Sequence, residues 1–490
     1  MSTATAGRVP PAPQPPAVSP NAVVLVLSVA GIIGALMQTL VVPLIGELPA
    51  LLDTTASNAS WVITATLLTA AVATPVSGRL GDLYGKRRMM IACASVLVVG
   101  SIVCALAPTV VPMIVGRGLQ GVGMGLIPLG ISAMRDLLPA EKLGTAIALM
   151  SASMGVGAAL GLPISAAVAQ NANWRALFWG SAVLAVIIIA LIFALIPATP
   201  VASTGAGFDY AGAVGLGIGL VCLLLGVSKG ADWGWGSATT VSLLVGAVVA
   251  LVIWGWFELR RSDPLVDLRV TARPVVLLTN VASLVVGFSM YAQSLIIPQL
   301  MQLPVETGYG LGQSMLHMGL WMMPGGFAMM LISPVGAKLS RLRGPKVTLV
   351  VGALIVSLGY GSAVLLMGSI FGLMIAVCIC SAGVGFAYGA MPALIMGSVP
   401  ISETASANSF NTLSRSVGTS IAAAVVGVVL AQMSVNVGGY ALPTENGFRT
   451  GLLIGAGVGL VAALIAMTIP SKASHDAEER IEHEVTAAAG

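Results

Sequence analysis

Charge is what this chain has least of. Only 8% of its 490 residues are Asp, Glu, Lys or Arg, against about 25% in soluble domains. Histidine is scarcer still: there are three, and two of them (His475 and His483) fall in the C-terminal tail. An intramembrane enzyme would need an HExxH pair, paired acids or a Ser/His pairing, and so few titratable groups leave it without parts. No Gly-x-x-x-x-Gly-Lys phosphate loop occurs, which argues against a nucleotide-driven pump. The five cysteines (Cys93, Cys104, Cys222, Cys378 and Cys380) lie inside apolar runs and offer neither a disulfide framework nor metal-ligand spacing. No catalytic residue, metal, cofactor or nucleic-acid partner is therefore expected.

What is present is apolar: 57% of the residues are hydrophobic, in runs of roughly 20 that suffice to cross a bilayer as helices. Fourteen spans are expected, at 22–46, 60–78, 89–107, 109–134, 144–169, 175–196, 209–228, 237–256, 274–298, 313–334, 347–367, 370–396, 408–433 and 449–469. The fold class is an all-α polytopic membrane protein. Residues 1–21, rich in Pro and Ala, read as a disordered arm without the features of a cleaved signal. Residues 470–490 read as a polar tail.

Basic residues should crowd cytoplasmic loops. With the N-terminus inside, the inner segments hold 17 of the 22 Lys and Arg residues. Only Arg175, Lys229 and Arg449 lie outside, and Arg117 and Arg415 fall within spans. Both termini are thus expected in the cytoplasm, and the location is the cytoplasmic membrane. Trp61, Trp174, Trp179, Trp233 and Trp235 near the outer face, with Trp254 and Trp256 at the inner end of span 8, read as interfacial anchors.

The chain also repeats itself. Residues 74–87 (TPVSGRLGDLYGKR) and 333–346 (SPVGAKLSRLRGPK) align without a gap at an offset of 259. Pro75, Val76, Leu80, Leu83 and Gly85 match Pro334, Val335, Leu339, Leu342 and Gly344. Each copy is a short basic loop between two spans, the first joining spans 2 and 3 and the second spans 10 and 11. Matching loops in two halves mark a two-halved transporter. The loops are equivalent only if spans 7 and 8 are extra, which gives a 6 + 2 + 6 arrangement: bundles at 22–196 and 274–469 with an inserted pair at 209–256.

At these residues the chain resembles the major facilitator superfamily, in its fourteen-span drug:proton antiporter branch. Gly78-Arg-Leu-Gly-Asp82-Leu-Tyr-Gly85-Lys-Arg-Arg88 is similar to that superfamily's loop 2–3 signature. Arg117-Gly-Leu-Gln120-Gly121-Val-Gly123 is similar to its span 4 signature, with an intramembrane arginine. Span 5, with Gly161-Leu-Pro163-Ile-Ser165-Ala166, shifts the branch's proline and loses its paired glycines. Span 1 departs most: Leu36-Met37-Gln38-Thr39 has Met37 where the branch commonly carries an aspartate proposed as a proton site.

The resemblance implies that Arg79, Asp82, Gly85, Arg87 and Arg88 form a gate that locks the halves. A carboxylate there can pair with an arginine or a helix N-terminus, and such contacts break when the halves rock. Arg117 and Gln120 are expected at the transport or proton-coupling site, because an arginine inside a span must face the bundle interior or water. Asp136 is the expected proton carrier among the rim acids, which also include Asp209, Glu258 and Glu306, with His317 a further candidate. Arg415 is read as lying two turns from the inner end of span 13, within reach of the surface. A midplane cavity is expected to be lined by Gln38, Asn280, Tyr291, Gln293, Met318, Trp321 and Met322, whose thioethers and aromatic faces suit many lipophilic shapes. The expected function is export of lipophilic or amphiphilic small molecules by alternating access, as a monomer; the alternatives are export of an endogenous lipid or secondary metabolite, or transport not coupled to protons. The expected partners are a small lipophilic substrate, membrane lipids and protons as coupling ion.

Overall fold

The computed structural model describes residues 19–41, 44, 48–198, 207–437 and 440–470. The arm at 1–18 and the tail at 471–490 lie outside the described residues. Among the described residues, fourteen helices are long and apolar enough to cross a membrane. They are α1 (Pro20–Thr39), α2 (Ala56–Tyr84), α3 (Lys86–Leu106), α4 (Val110–Leu137), α5 (Ala140–Asn171), α6 (Arg175–Leu195), α7 (Tyr210–Trp233), α8 (Ala238–Glu258), α9 (Pro274–Gln302), α10 (Met315–Arg343), α11 (Pro345–Leu365), α12 (Ile370–Met396), α13 (Thr404–Gln432) and α14 (Glu445–Thr468). A two-stranded hairpin, β1 (Ser434–Val437) and β2 (Tyr440–Pro443), joins α13 to α14 in antiparallel register, Ser434 opposite Pro443. An all-α reading of the sequence does not anticipate this hairpin, whose strands are only four residues long.

Polar caps start several of these helices. The side chains of Thr55, Ser237, Ser369 and Thr444 accept the backbone N–H three residues on, satisfying donors that a helix start leaves free. Both repeated loops turn on a glycine: Gly85, at φ 98°, separates α2 from α3, and Gly344, at φ 83°, separates α10 from α11. An L side chain rarely adopts that backbone, so the matched glycines are a requirement of the turn.

The two halves are built alike. Within the first, α1 packs on α5, α2 on α4, and α3 on both α4 and α6; within the second, α9 packs on α13, α10 on α12, and α11 on both α12 and α14. Each half has its own apolar core, one drawn mainly from residues 23–196 and the other from 282–469. Close approach at glycines recurs as well. A Cβ on Gly116 would stand 2.8 Å from the Gly100 carbonyl, and one on Gly383 would stand 2.6 Å from that of Gly352. Helices that pack without a hydrophobic drive from water depend on such contacts.

Two seams join the halves, α5 against α10 and α2 against α13. Exchanging the halves (α2 for α10, α5 for α13) turns one seam into the other. The inserted pair lies beside the second seam. Helix α7 packs on both α2 and α13, with Leu216, Leu220 and Leu224 in a third apolar cluster that includes Ala71 and Leu413. Trp254 is buried in this cluster with its Nε1 unpartnered, so it is not the interfacial anchor that its position suggested. Trp256 is exposed, with the Arg260 guanidinium 3.9 Å over its ring.

Candidate functional site: the seam between the halves

The end of the bundle that carries the basic loops is held shut by contacts between the halves. Asp82, in the last turn of α2, reaches the N-terminus of α13. Its carboxylate accepts from the backbone N–H of Ala405 at 3.2 Å and of Ser406 at 2.8 Å, and from the Ser406 hydroxyl at 3.0 Å. Free N–H groups and the helix dipole make that terminus a natural seat for an anion. Arg135, at the end of α4, grips the same segment through the Val399 carbonyl at 3.2 Å and the Thr404 hydroxyl at 2.7 Å. The helices touch here too, because a Cβ on Gly78 would collide with the Ser409 side chain and stand 2.8 Å from the Ala405 carbonyl.

The other residues of the loop signature do different work. Arg87 donates to the Phe193 carbonyl at 2.6 Å and lies over that ring, so it ties α3 to α6 within one half. Arg88 is exposed. Arg79 is half-buried with Nε unpartnered, and with Asp82 it lines a cleft of about 170 Å³ shared with the linker between α8 and α9. Buried Lys86, absent from the expected set, meets Asp136 at 2.7 Å. That ion pair ties Asp136 to the start of α3.

Arg117 is sealed inside the first half at 3% exposure. It donates to Gln120 Oε1 at 2.7 Å and to the carbonyls of Met37 and Val62, each at 3.3 Å, while Gln120 Nε2 donates to Ser101 Oγ at 2.8 Å. Helix α4 breaks into a 3₁₀ turn at Gly123–Gly125 just beyond, where Gly121 and Gly125 let α2 come close: a Cβ on either would strike Thr69 or Ser77. His317 belongs to the first turn of α10, where its backbone N–H and Nδ1 both meet Ser314 Oγ, and it is exposed.

Toward the latched end a cavity of about 10 Å³ lies between the halves. Ile131, Ser151 and Met154 line it from the first half, and Tyr388, Pro392, Asn408, Asn411, Thr412 and Arg415 from the second. It has room for about one water molecule. Ser151 donates across it to the Tyr388 carbonyl at 3.0 Å. None of the seven residues expected to line a substrate cavity is among its walls. Asn280 stands one step behind, its Oδ1 accepting from Asn411 at 3.0 Å. Gln38 is exposed and donates to Met124 Sδ at 3.2 Å, within the first half. Met318 of α10 belongs to the core of the second half, against which half-buried Trp321 and Met322 of α10 and Tyr291 of α9 pack, and Gln293 is buried in α9. The methionine run of α10 is the more conspicuous pattern, but it is on α13 that Asn408, Asn411, Thr412 and Arg415 recur at helical spacing. A polar stripe within a span was the available signal.

Two repeated six-helix bundles, joined along two symmetric seams and latched at one end, define a two-halved multi-pass membrane protein. The chain belongs to the Major Facilitator Superfamily, whose sequence profile matches residues 27–209 and 206–423. It is 32% identical over 300 residues to the uncharacterized MFS-type transporter Rv1877 of Mycobacterium tuberculosis (strain ATCC 25618 / H37Rv), a match covering 60% of this chain and 42% of that protein. The chain therefore spans less than half the length of that relative. It is 28% identical over 341 residues to the lincomycin resistance protein LmrB of Listeria monocytogenes, covering 69% of this chain and 70% of that one. Among solved structures, the human organic anion transporter MFSD10 superposes with a TM-score of 0.64 at 15% identity, over 92% of this chain and 100% of that one. At that identity the likeness concerns the fold alone.

Proposed function

We propose that this protein is a secondary active transporter that exports lipophilic or amphiphilic small molecules across the cytoplasmic membrane. It works as a monomer by alternating access, with both termini in the cytoplasm and proton entry as the driving flux. The observation that carries this reading is the latch. The halves are separately cored bodies, and at the basic end they are joined by a few polar contacts to one helix start, which rocking would break. The charge asymmetry supports reading that end as the cytoplasmic one. LmrB's designation as a lincomycin resistance protein supports export over import. The gating residue Asp82, rather than the expected carrier Asp136, stands where taking up a proton would alter a contact between the halves.

A second reading, transport without proton coupling, is favoured by one feature. Met37 stands at the branch's span 1 acid position, and the Arg117 beside its carbonyl is satisfied by neutral acceptors. Proteoliposomes with an imposed pH gradient decide between them. Efflux of a lipophilic dye should respond to the gradient and dissipate it, and Asp82→Asn should slow it severalfold while leaving the yield of folded protein unchanged. Dye movement indifferent to the gradient overturns proton coupling, and wild-type turnover by the Asp82 variant overturns the latch.

A further inference from the structure

Two arginines lie deep within spans, and they are not alike. Arg117 has three acceptors and is closed off within one half. Arg415 is eleven residues into α13, or about 16 Å along the helix from its start at 1.5 Å per residue. The helix begins at Thr404, earlier than the sequence suggested, and Arg415 does not turn its side chain outward: it is 8% exposed. It points instead into the cavity shared by both halves.

There its guanidinium is underserved. One long hydrogen bond runs from Nη2 to Thr412 Oγ1 at 3.4 Å, and the Tyr388 ring lies 4.4 Å from the guanidinium carbon. Among the described residues it forms no ion pair, and no carboxylate lines the cavity. A guanidinium has five donors in a planar fork that fits a carboxylate, sulfonate or phosphate. An isolated cation at this depth is costly unless it is paired or wetted. Hydroxyl and amide groups of Ser151, Asn408 and Asn411 surround it, and Ile131, Met154 and Pro392 supply apolar wall.

We propose that this cavity, widened when the halves part, takes the anionic head of an amphiphile, with Arg415 as the charge that selects it. The inference rests on the transport reading and narrows it: the substrate carries one negative group on an apolar body and is not a lipophilic cation. A cation in the same place would face an unneutralised guanidinium in a low-dielectric site, where repulsion is strong. The head could belong to a free solute or to a membrane phospholipid, and the test separates them.

Binding is measured on purified protein with three fluorescent probes that share one ten-carbon chain and end in a carboxylate, a primary amide or a trimethylammonium. Wild-type protein should bind the carboxylate at least tenfold more tightly than either of the others. Arg415→Gln should abolish that preference, and Arg415→Lys should keep part of it. Equal affinity for carboxylate and ammonium in the wild type overturns the proposal, and that arm requires no variant to fold. An unchanged preference in Arg415→Gln overturns it too. Stronger competition by phosphatidylglycerol in mixed micelles than by decanoate assigns the site to a lipid headgroup; the reverse assigns it to a free solute; competition by neither overturns it. Carboxylate binding without flux into proteoliposomes would sink the transport reading while leaving the site intact.

Discussion

At the scale of single residues, the same side chain plays opposite parts at positions 117 and 415. Both arginines are visible in the sequence as charges within apolar runs, and the signature around Arg117 makes it the more prominent. Packing separates them. Arg117 serves the carbonyls of Met37 and Val62 and the Gln120 side chain, and so fastens α4 to α1 and α2. Arg117→Met would leave Gln120 Oε1 without its donor and strip a bond from the carbonyls of Met37 and Val62, the latter still accepting from Thr66 Oγ1 at 3.2 Å. Each orphaned buried polar group costs roughly 1–3 kcal/mol, so the melting midpoint of the purified protein should fall by several degrees. The selectivity of probe binding should survive in the protein that still folds. A wild-type midpoint combined with lost selectivity would make Arg117 the selecting charge and Arg415 the structural one. The distinction is not legible in the sequence because the partners of both residues lie on other helices. Met37 is 80 residues from Arg117, and helical periodicity carries no information across such a gap.

At the scale of elements, span number and repeat pattern were legible because bilayer thickness and the loop motif constrain them directly. The surroundings of the inserted pair were not. Asp209 caps α7 by accepting from the Gly212 N–H at 2.9 Å, and Glu258 ends α8 by accepting from the Leu265 N–H at 3.1 Å. Both residues are only 2% exposed. Their remaining oxygens, Asp209 Oδ2 and Glu258 Oε1, have no partner and converge on Gly212, each 2.5 Å from where a Cβ would sit. Arg261 lies 3.6 Å away, on the other Asp209 oxygen. The Trp254 indole N–H lies near the Glu258 carboxyl, but Asp209 Oδ2 has no donor, and an amide at position 258 would supply one. Glu258→Gln should keep the Leu265 bond, donate to Asp209, and melt at or above the wild-type temperature. Glu258→Ala, which loses the Leu265 bond, should melt lower, with a lost hydrogen bond worth roughly 1 kcal/mol. If both variants melt alike below the wild type, the convergent oxygens are not the source of strain. The pair matters to the transporter because Leu265 and Val266 continue into the cleft that Asp82 and Arg79 line, bringing the inserted helices up against the latch.

At the scale of the whole molecule, the repeat explains more than the number of helices. Equivalent helices make equivalent contacts inside each half, and the two seams exchange under the same operation. The latch breaks that symmetry. Asp82 has Arg341 as its counterpart in the second loop, so a carboxylate bound to a helix start exists on one side only. If the halves rock as rigid bodies, fixing them at the latch should stop the cycle without disturbing either core. The geometry offers a direct way to do so. A Cβ on Gly81 would stand 3.8 Å from the Ala405 Cβ, and disulfides have Cβ atoms about 3.8 Å apart on average. The nearest obstacle to the new Cβ is a terminal methyl of Leu129, which a change of rotamer can move. The native cysteines are buried or half-buried inside the bundle and can remain in place. Oxidised Gly81→Cys/Ala405→Cys protein should keep a wild-type melting profile yet carry no substrate, and a reductant should restore flux. Either single variant should transport under both conditions. Full turnover by the cross-linked double variant would mean that these ends never separate, and transport by rocking about the two seams would have to be abandoned.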